Sequence, residues 1–239
     1  MTHSPLVVVA NLHGPLVLRD PIHLDGVLLA AREKRDGLAA RGTPFPTLAR
    51  RGEVFAASVG LLVTEGIGGI QEEPLTRTKR LDMKRDGPFI RLPEDGGTKA
   101  TRTVGEMSPF RNQLTKERVL GNVRSVVWQA LGDAAEIEDL LAYVSFLGKQ
   151  YATGWGEVAN FEVLPSRASP ETCGLVLNGG PARNLPVDML ASLGIAGDIV
   201  VTGRIEPPYG ASHGTLSVAM PSFAGLIVAE HEARAAFAY

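Results

Sequence analysis

A chain of 239 residues is long enough for one large domain or for a domain with a smaller second lobe, and an apolar fraction of 44% supplies a core. A net charge of −2 with 21% charged residues argues against a uniformly basic nucleic-acid binder. The single cysteine, Cys173, excludes an internal disulfide and fits a reducing compartment, while the lack of C-x-x-C or H-E-x-x-H spacing gives no metal site. With no leader-like N-terminus and no apolar run of membrane-span length, the expectation is a soluble, cytoplasmic protein that does not meet the membrane and needs no cofactor.

In chain order, Leu6–Leu12 is a compact β-rich run, and Leu16–Leu18 continues it after His13-Gly14-Pro15. Pro21-Ile22-His23-Leu24-Asp25-Gly26 is a short link. A helix is expected from about Gly26 to Lys34, with Asp25 as its cap and Leu28, Ala31 and Arg32 at helical spacing. Val54–Thr64, apolar and partly β-branched, reads as a central strand. Leu75–Met83 alternates like a strand with mixed faces. The following Asp86–Thr115 has little periodicity but a hairpin signal at Asp95-Gly96.

Asn122–Leu131 is a further strand, with Trp128 expected in the core. Asp133-Ala134-Ala135-Glu136 then has capping-box spacing, and Ile137, Leu140, Leu141, Val144 and Leu147 form the apolar stripe of a second helix. Glu157–Leu164 is the next strand. From Pro165 the character changes: Ser166–Thr172 reads as a linker, and 175–177, 198–205 and 216–220 read as strands. A short helix is expected over 186–193, and a helix or ordered tail over 230–239.

The order strand, helix, strand, strand, helix, strand is the ferredoxin-like, or split β-α-β, plan. RNA-recognition domains use the same layout to bind single strands on their sheet. The expected fold class is therefore α+β. A ferredoxin-like (RRM-like) domain spans 1–165, a thumb is inserted at about 75–118, and a smaller C-terminal β-rich lobe spans 166–239.

Charge is unevenly placed. Leu75–Arg118 holds eleven Lys/Arg against six acids, a balance of +5, so the remainder carries −7. A basic segment on an acidic body is a directed electrostatic footprint, whereas a charge run by itself is more often a solvated polar loop. The other pointer to a ligand is Leu147-Gly148-Lys149-Gln150-Tyr151-Ala152-Thr153-Gly154-Trp155-Gly156-Glu157-Val158. Three glycines in nine residues permit backbone approaches that a Cβ would block. Lys149 adds a cation, and Tyr151 and Trp155 add flat faces suited to a phosphodiester backbone with unstacked bases. Trp155 suits packing under the loop equally well. The RNA-binding candidates are Gly148, Lys149, Gln150, Tyr151, Gly154, Trp155 and Gly156. Arg77, Lys79, Arg80, Arg102, Arg111 and Lys116 support them from the basic segment.

A glycine-rich loop between the second helix and the last strand of a ferredoxin-like domain resembles the RAMP superfamily of CRISPR-associated RNA-binding proteins. Pro21-Ile22-His23-Leu24-Asp25-Gly26-Val27-Leu28, Phe110-Arg111 and Gly132-Asp133 further resemble the Cas-five-type subunit of type IV CRISPR effector complexes. That resemblance covers much of 6–164. It implies a subunit that holds the five-prime handle of the guide RNA at one end of a ribonucleoprotein. Its neighbours would be the repeated backbone subunits and a large subunit, with the thumb against the RNA. In related complexes this end lies near the protospacer-adjacent motif of the target DNA duplex.

A rival reading is a metal-independent endoribonuclease acting on repeat RNA, with His23 as base and Tyr151 and Lys149 as partners. His23 also suits a structural role at the start of its helix. A third reading is an assembly subunit whose basic insertion meets a protein. No Walker-type phosphate loop and no carboxylate cluster for a two-metal nuclease are present.

Overall fold

The computed structural model describes residues 2–40, 43–64, 72–80, 110–149, 154–197, 199–207, 209, 215–222 and 226–237, with the backbone alone along 72–80 and 110–118. Strands β1 (Ser4–Leu12) and β2 (Leu16–Leu18) lead into helix α1 (Leu24–Asp36). The short strands β3 (Arg50–Arg51) and β4 (Val54–Phe55) precede β5 (Leu61–Thr64), β6 (Glu72–Arg80), β7 (Phe110–Leu120) and β8 (Val123–Gly132). Helix α2 (Ala134–Leu141) is followed by β9 (Val158–Pro165), β10 (Val176–Leu177), β11 (Gly180–Pro181) and β12 (Leu185–Pro186). Last come helix α3 (Val187–Leu193), β13 (Ile199–Gly203), β14 (Leu216–Met220), β15 (Ile227–Ala229) and helix α4 (Glu230–Phe237). The protein is a mixed α+β chain that divides into two units, Met1–Glu72 with Val119–Tyr239, and Glu73–Arg118. In the second unit, β6 and β7 are hydrogen-bonded neighbours. The Asp95-Gly96 hairpin signal lies outside the described residues.

The first unit is built on a five-stranded sheet in the order β15-β5-β8-β1-β9. β1 runs antiparallel to both β8 and β9, β5 runs antiparallel to β8, and β15 joins β5 in parallel. The residues Leu6-Val7-Val8-Val9-Ala10 explain why β1 is central: a strand apolar at every position must be covered on both faces. Leu6, Val8 and Ala10 join Trp128, Leu28, Ile137 and Leu140 in the larger core, beneath α1 and α2. Val7 and Val9 face the other way, onto Val127, Leu226, Ala233 and Phe237. Trp128, fully buried as expected, donates its indole N–H to the Ile22 carbonyl at 2.9 Å.

Two expectations need correction. The lobe expected over 166–239 does not stand apart: those residues fall in the first unit, where β15 extends the main sheet and α4 covers its second face, with Phe237 and Ala233 fully buried against it. The linker over Ser166–Thr172 is likewise tied down, with Ser166 N–H donating to Pro5 O and its hydroxyl to Phe237 O, both at 2.9 Å. Second, Val54–Thr64 is not one strand. Ala57 bridges to Ala130, then Ser58 donates to Gln129 O and Val59 to Ala182 O, each at 2.8 Å, so the chain changes partner before β5 begins. The C-terminal region also forms a small antiparallel sheet, β12-β14-β13, over a cluster of Val54, Leu175, Leu185, Ile205 and Val218.

Candidate functional site

The glycine loop starts from α2. Asp133 caps that helix as its sequence predicts, accepting the Glu136 N–H at 3.2 Å. The helix is shorter than its apolar stripe: it ends at Leu141, and Val144 and Leu147 lie beyond it, with Leu147 still buried in the main core. The backbone then closes on itself. Leu147 N–H donates to Gly156 O at 2.8 Å, and Val158 N–H to Ser145 O at 2.9 Å. Both ends are also fastened to the β1–β2 region, through Lys149 N–H to Val17 O at 2.9 Å and Gly156 N–H to Pro15 O at 2.8 Å.

This closure explains two of the three glycines. Gly148 and Gly156 both have φ of +73°. A Cβ would strike the Val17 carbonyl oxygen at Gly148 and the Leu147 carbonyl oxygen at Gly156. They are required by the backbone of the loop's base, independently of any ligand. Gly154, with φ of +80°, has open space around it. Lys149 is exposed and Trp155 half-buried, while Gln150 and Tyr151 lie outside the described residues.

Beside Gly148 runs a groove of about 310 Å3 between α1 and the 144–148 segment. Its α1 wall includes the small residues Gly26, Ala30 and Ala31. Phe146 stands on the opposite side, His23 and Tyr209 form one end, and Lys34 is at its edge. Lys34 reaches across it, donating to Tyr143 O at 3.2 Å. The walls are apolar with few polar groups, the composition of a small-group binding cleft.

Under the His23 end lies a buried polar cluster. The Arg183 guanidinium donates to Asp25 Oδ2 at 3.0 Å, to Ile205 O at 2.6 Å, to the Tyr209 hydroxyl at 2.6 Å, and to Phe55 O and Ala57 O. The Tyr209 hydroxyl in turn donates to Asp25 Oδ2 at 2.6 Å. The His23 ring stacks on Tyr209 with centroids 3.9 Å apart. Asp25 is therefore not the helix cap. The N-cap position is His23, without a side-chain cap, and the Asp25 carboxylate is buried to serve Arg183. Burial opposes the charge of Arg183, yet Asp25 beside it carries its pKa above the ordinary value. Burial, reinforced by Asp25, raises the Tyr209 hydroxyl well above the usual phenol range. Burial lowers His23 to about 4, with Asp25 opposing and Arg183 adding to the shift, so the ring is neutral near pH 7. His23 Nδ1 is buried without a hydrogen-bond partner. A 6% exposed ring stacked on a tyrosine is placed as a packing element.

The loop thus brings Gly148, Lys149, Gly154, Trp155 and Gly156 to one end of the sheet. Arg77, Lys79 and Arg80 lie on β6, and Arg111 and Lys116 on β7, with their side chains outside the description; Arg102 lies outside the described residues altogether. Sequence reading missed Arg183 and Tyr209. Neither has a local signal, since their partner Asp25 is 158 and 184 positions away. Among the described residues no group of three metal-ligating side chains forms, and no helix is long and apolar enough to cross a membrane. No protein-family model matches the chain, and no curated protein matches it in sequence.

Proposed function

We propose that this protein is a guide-RNA-binding subunit of a type IV CRISPR ribonucleoprotein, built on a ferredoxin-like RAMP domain. It holds the five-prime handle next to the repeated backbone subunits and a large subunit. The observation that carries the reading is the place of the glycine loop. It joins α2 to β9, its base is clamped to the β1–β2 region, and its Gly148 lines the groove along α1. Two further features support it. The antiparallel core of the sheet runs β9-β1-β8-β5, the order of a split β-α-β domain. The basic segment 75–118 carries +5 on a chain of net charge −2. With α4 packed on one sheet face, the RNA is assigned to the glycine-loop end and the basic segment. The subunit is non-catalytic in this reading, because His23, the base of the nuclease alternative, is packed on Tyr209.

The test is to tag the chain, express it with its genomic neighbours, and sequence the RNA that co-purifies. Small RNAs sharing a repeat-derived five-prime end are expected, and replacing Lys149 and Trp155 by Ala lowers their yield while the chain stays folded. Affinity for single-stranded handle RNA should fall steeply with salt, by a log–log slope of about −0.7 per neutralised phosphate. No RNA and no CRISPR partners would remove the proposal. Metal-free cleavage of repeat RNA by the purified chain would replace it with the nuclease reading.

A further inference from the structure

Strand β13, Ile199-Val200-Val201-Thr202-Gly203, is the edge of the β12-β14-β13 sheet and pairs with β14 alone among the described residues. Natural edge strands are blunted by charge, proline or a bulge. This one has none: its pairing runs regularly from Ile199↔Met220 to Gly203↔Leu216, and its five residues are uncharged. Its apolar side chains are nonetheless open to solvent on both faces, with Ile199 39%, Val200 54% and Val201 38% exposed.

At the start of the same strand lies a pocket of about 560 Å3, lined by Leu177, Asn178, Pro181, Ile199, Met220 and Leu226. Ile199 and Met220 are opposite each other across the pair, so their side chains share one face of the sheet. A strand added beside β13, on the side away from β14, would place the residue opposite Ile199 on that face as well, over the pocket. An edge that supplies backbone hydrogen bonds, next to a cavity for one side chain, is the arrangement that recognises peptides by strand addition.

A second copy of this chain does not fit. Two-fold antiparallel pairing of β13 over its full length sets Gly203 of the copy opposite Ile199, and glycine has no side chain to fill the cavity. We propose that β13 and its adjoining pocket bind an extended segment of a different protein by strand addition, seating a large apolar side chain between Ile199, Met220 and Leu177. The site is separate from the glycine loop and does not depend on the RNA-binding reading.

The test uses the full chain and a random-peptide display library. Selected peptides are expected to share one large apolar position flanked by β-branched residues. Val200→Lys puts a charge on the edge. Gly180→Phe fills the pocket, since an added Cβ at this pocket-lining glycine meets only Leu177 O, at 3.8 Å. Each variant should weaken peptide binding about ten-fold or more. Methylating alternate backbone nitrogens of a selected peptide should abolish binding in one set and spare it in the other, because only every second N–H of an added strand faces the edge. If Gly180→Phe fails to fold, the Val200→Lys variant and the methylation pattern still decide. Failure to select any peptide, binding insensitive to the variants, or a homodimer of the chain that Val200→Lys dissociates would each overturn the proposal.

Discussion

Asp25 and Arg183, 158 positions apart, form an ion pair at 3.0 Å in which both side chains are fully buried. The pair joins the first turn of α1 to the segment after β11, and Tyr209 completes it. Buried pairs often contribute little net stability compared with an apolar replacement, but removing one partner leaves a buried charge uncompensated. Asp25→Asn should therefore cost about 3–5 kcal/mol in urea unfolding at neutral pH. Tyr209→Phe should cost less, about 1–3 kcal/mol, since it removes one hydroxyl from a network that otherwise persists. An Asp25→Asn variant as stable as the parent would show that the pair does not hold these segments together.

His23 makes stability depend on pH with a definite sign. Its folded pKa of about 4 lies below the ordinary imidazole value of 6.5, so between these values the unfolded chain binds more protons. The contribution is fully present above the unfolded value and is lost as pH falls through the window towards 4. At about 1.4 kcal/mol per pKa unit, the full loss is about 3 kcal/mol. The check is the difference in unfolding free energy between the parent and His23→Gln from pH 7 to pH 4. That difference should shrink on acidification, and a constant difference would mean the ring titrates normally.

The three loop glycines should separate by cause. Gly156→Ala and Gly148→Ala combine a left-handed backbone with a carbonyl oxygen in the path of the new methyl. Gly154→Ala meets the backbone term alone, about 1–2 kcal/mol. Thermal melts should rank Gly156→Ala and Gly148→Ala below Gly154→Ala. Equal melting temperatures would mean the loop base yields.

Phe237 closes the second face of the main sheet from the last turn of α4. Phe237→Ala should cost about 3–5 kcal/mol and expose Val7, Val9 and Val127, read as a lower melting temperature and increased binding of an apolar dye. An unchanged melt would show that α4 adds nothing to the core.

Most elements were legible because their signals are local. The apolar, β-branched runs of β1 and β8, the Asp133 cap of α2, and the burial of Trp128 need only neighbouring residues. The run Leu6–Ala10, apolar at every position, requires cover on both faces without naming the cover. That cover, α4, arrives from the far end of the chain. Asp25 misled for the same reason. An acid at the start of a helix looks like a cap, and only a guanidinium from Arg183 makes burying its carboxylate tolerable.

The amino-acid sequence by itself determined the α+β class, the order of the main strands and helices, the uneven charge of 75–118 and the existence of a glycine loop. These follow from local propensity, periodicity and composition. Only the tertiary structure decided that Gly148 and Gly156 serve the base of that loop, that Asp25 pairs with Arg183, that α4 closes the sheet, and that β13, among the described residues, pairs with β14 alone beside a pocket. Each depends on which distant backbone or side chain arrives within a few ångströms, and no pattern confined to neighbouring residues specifies that distance.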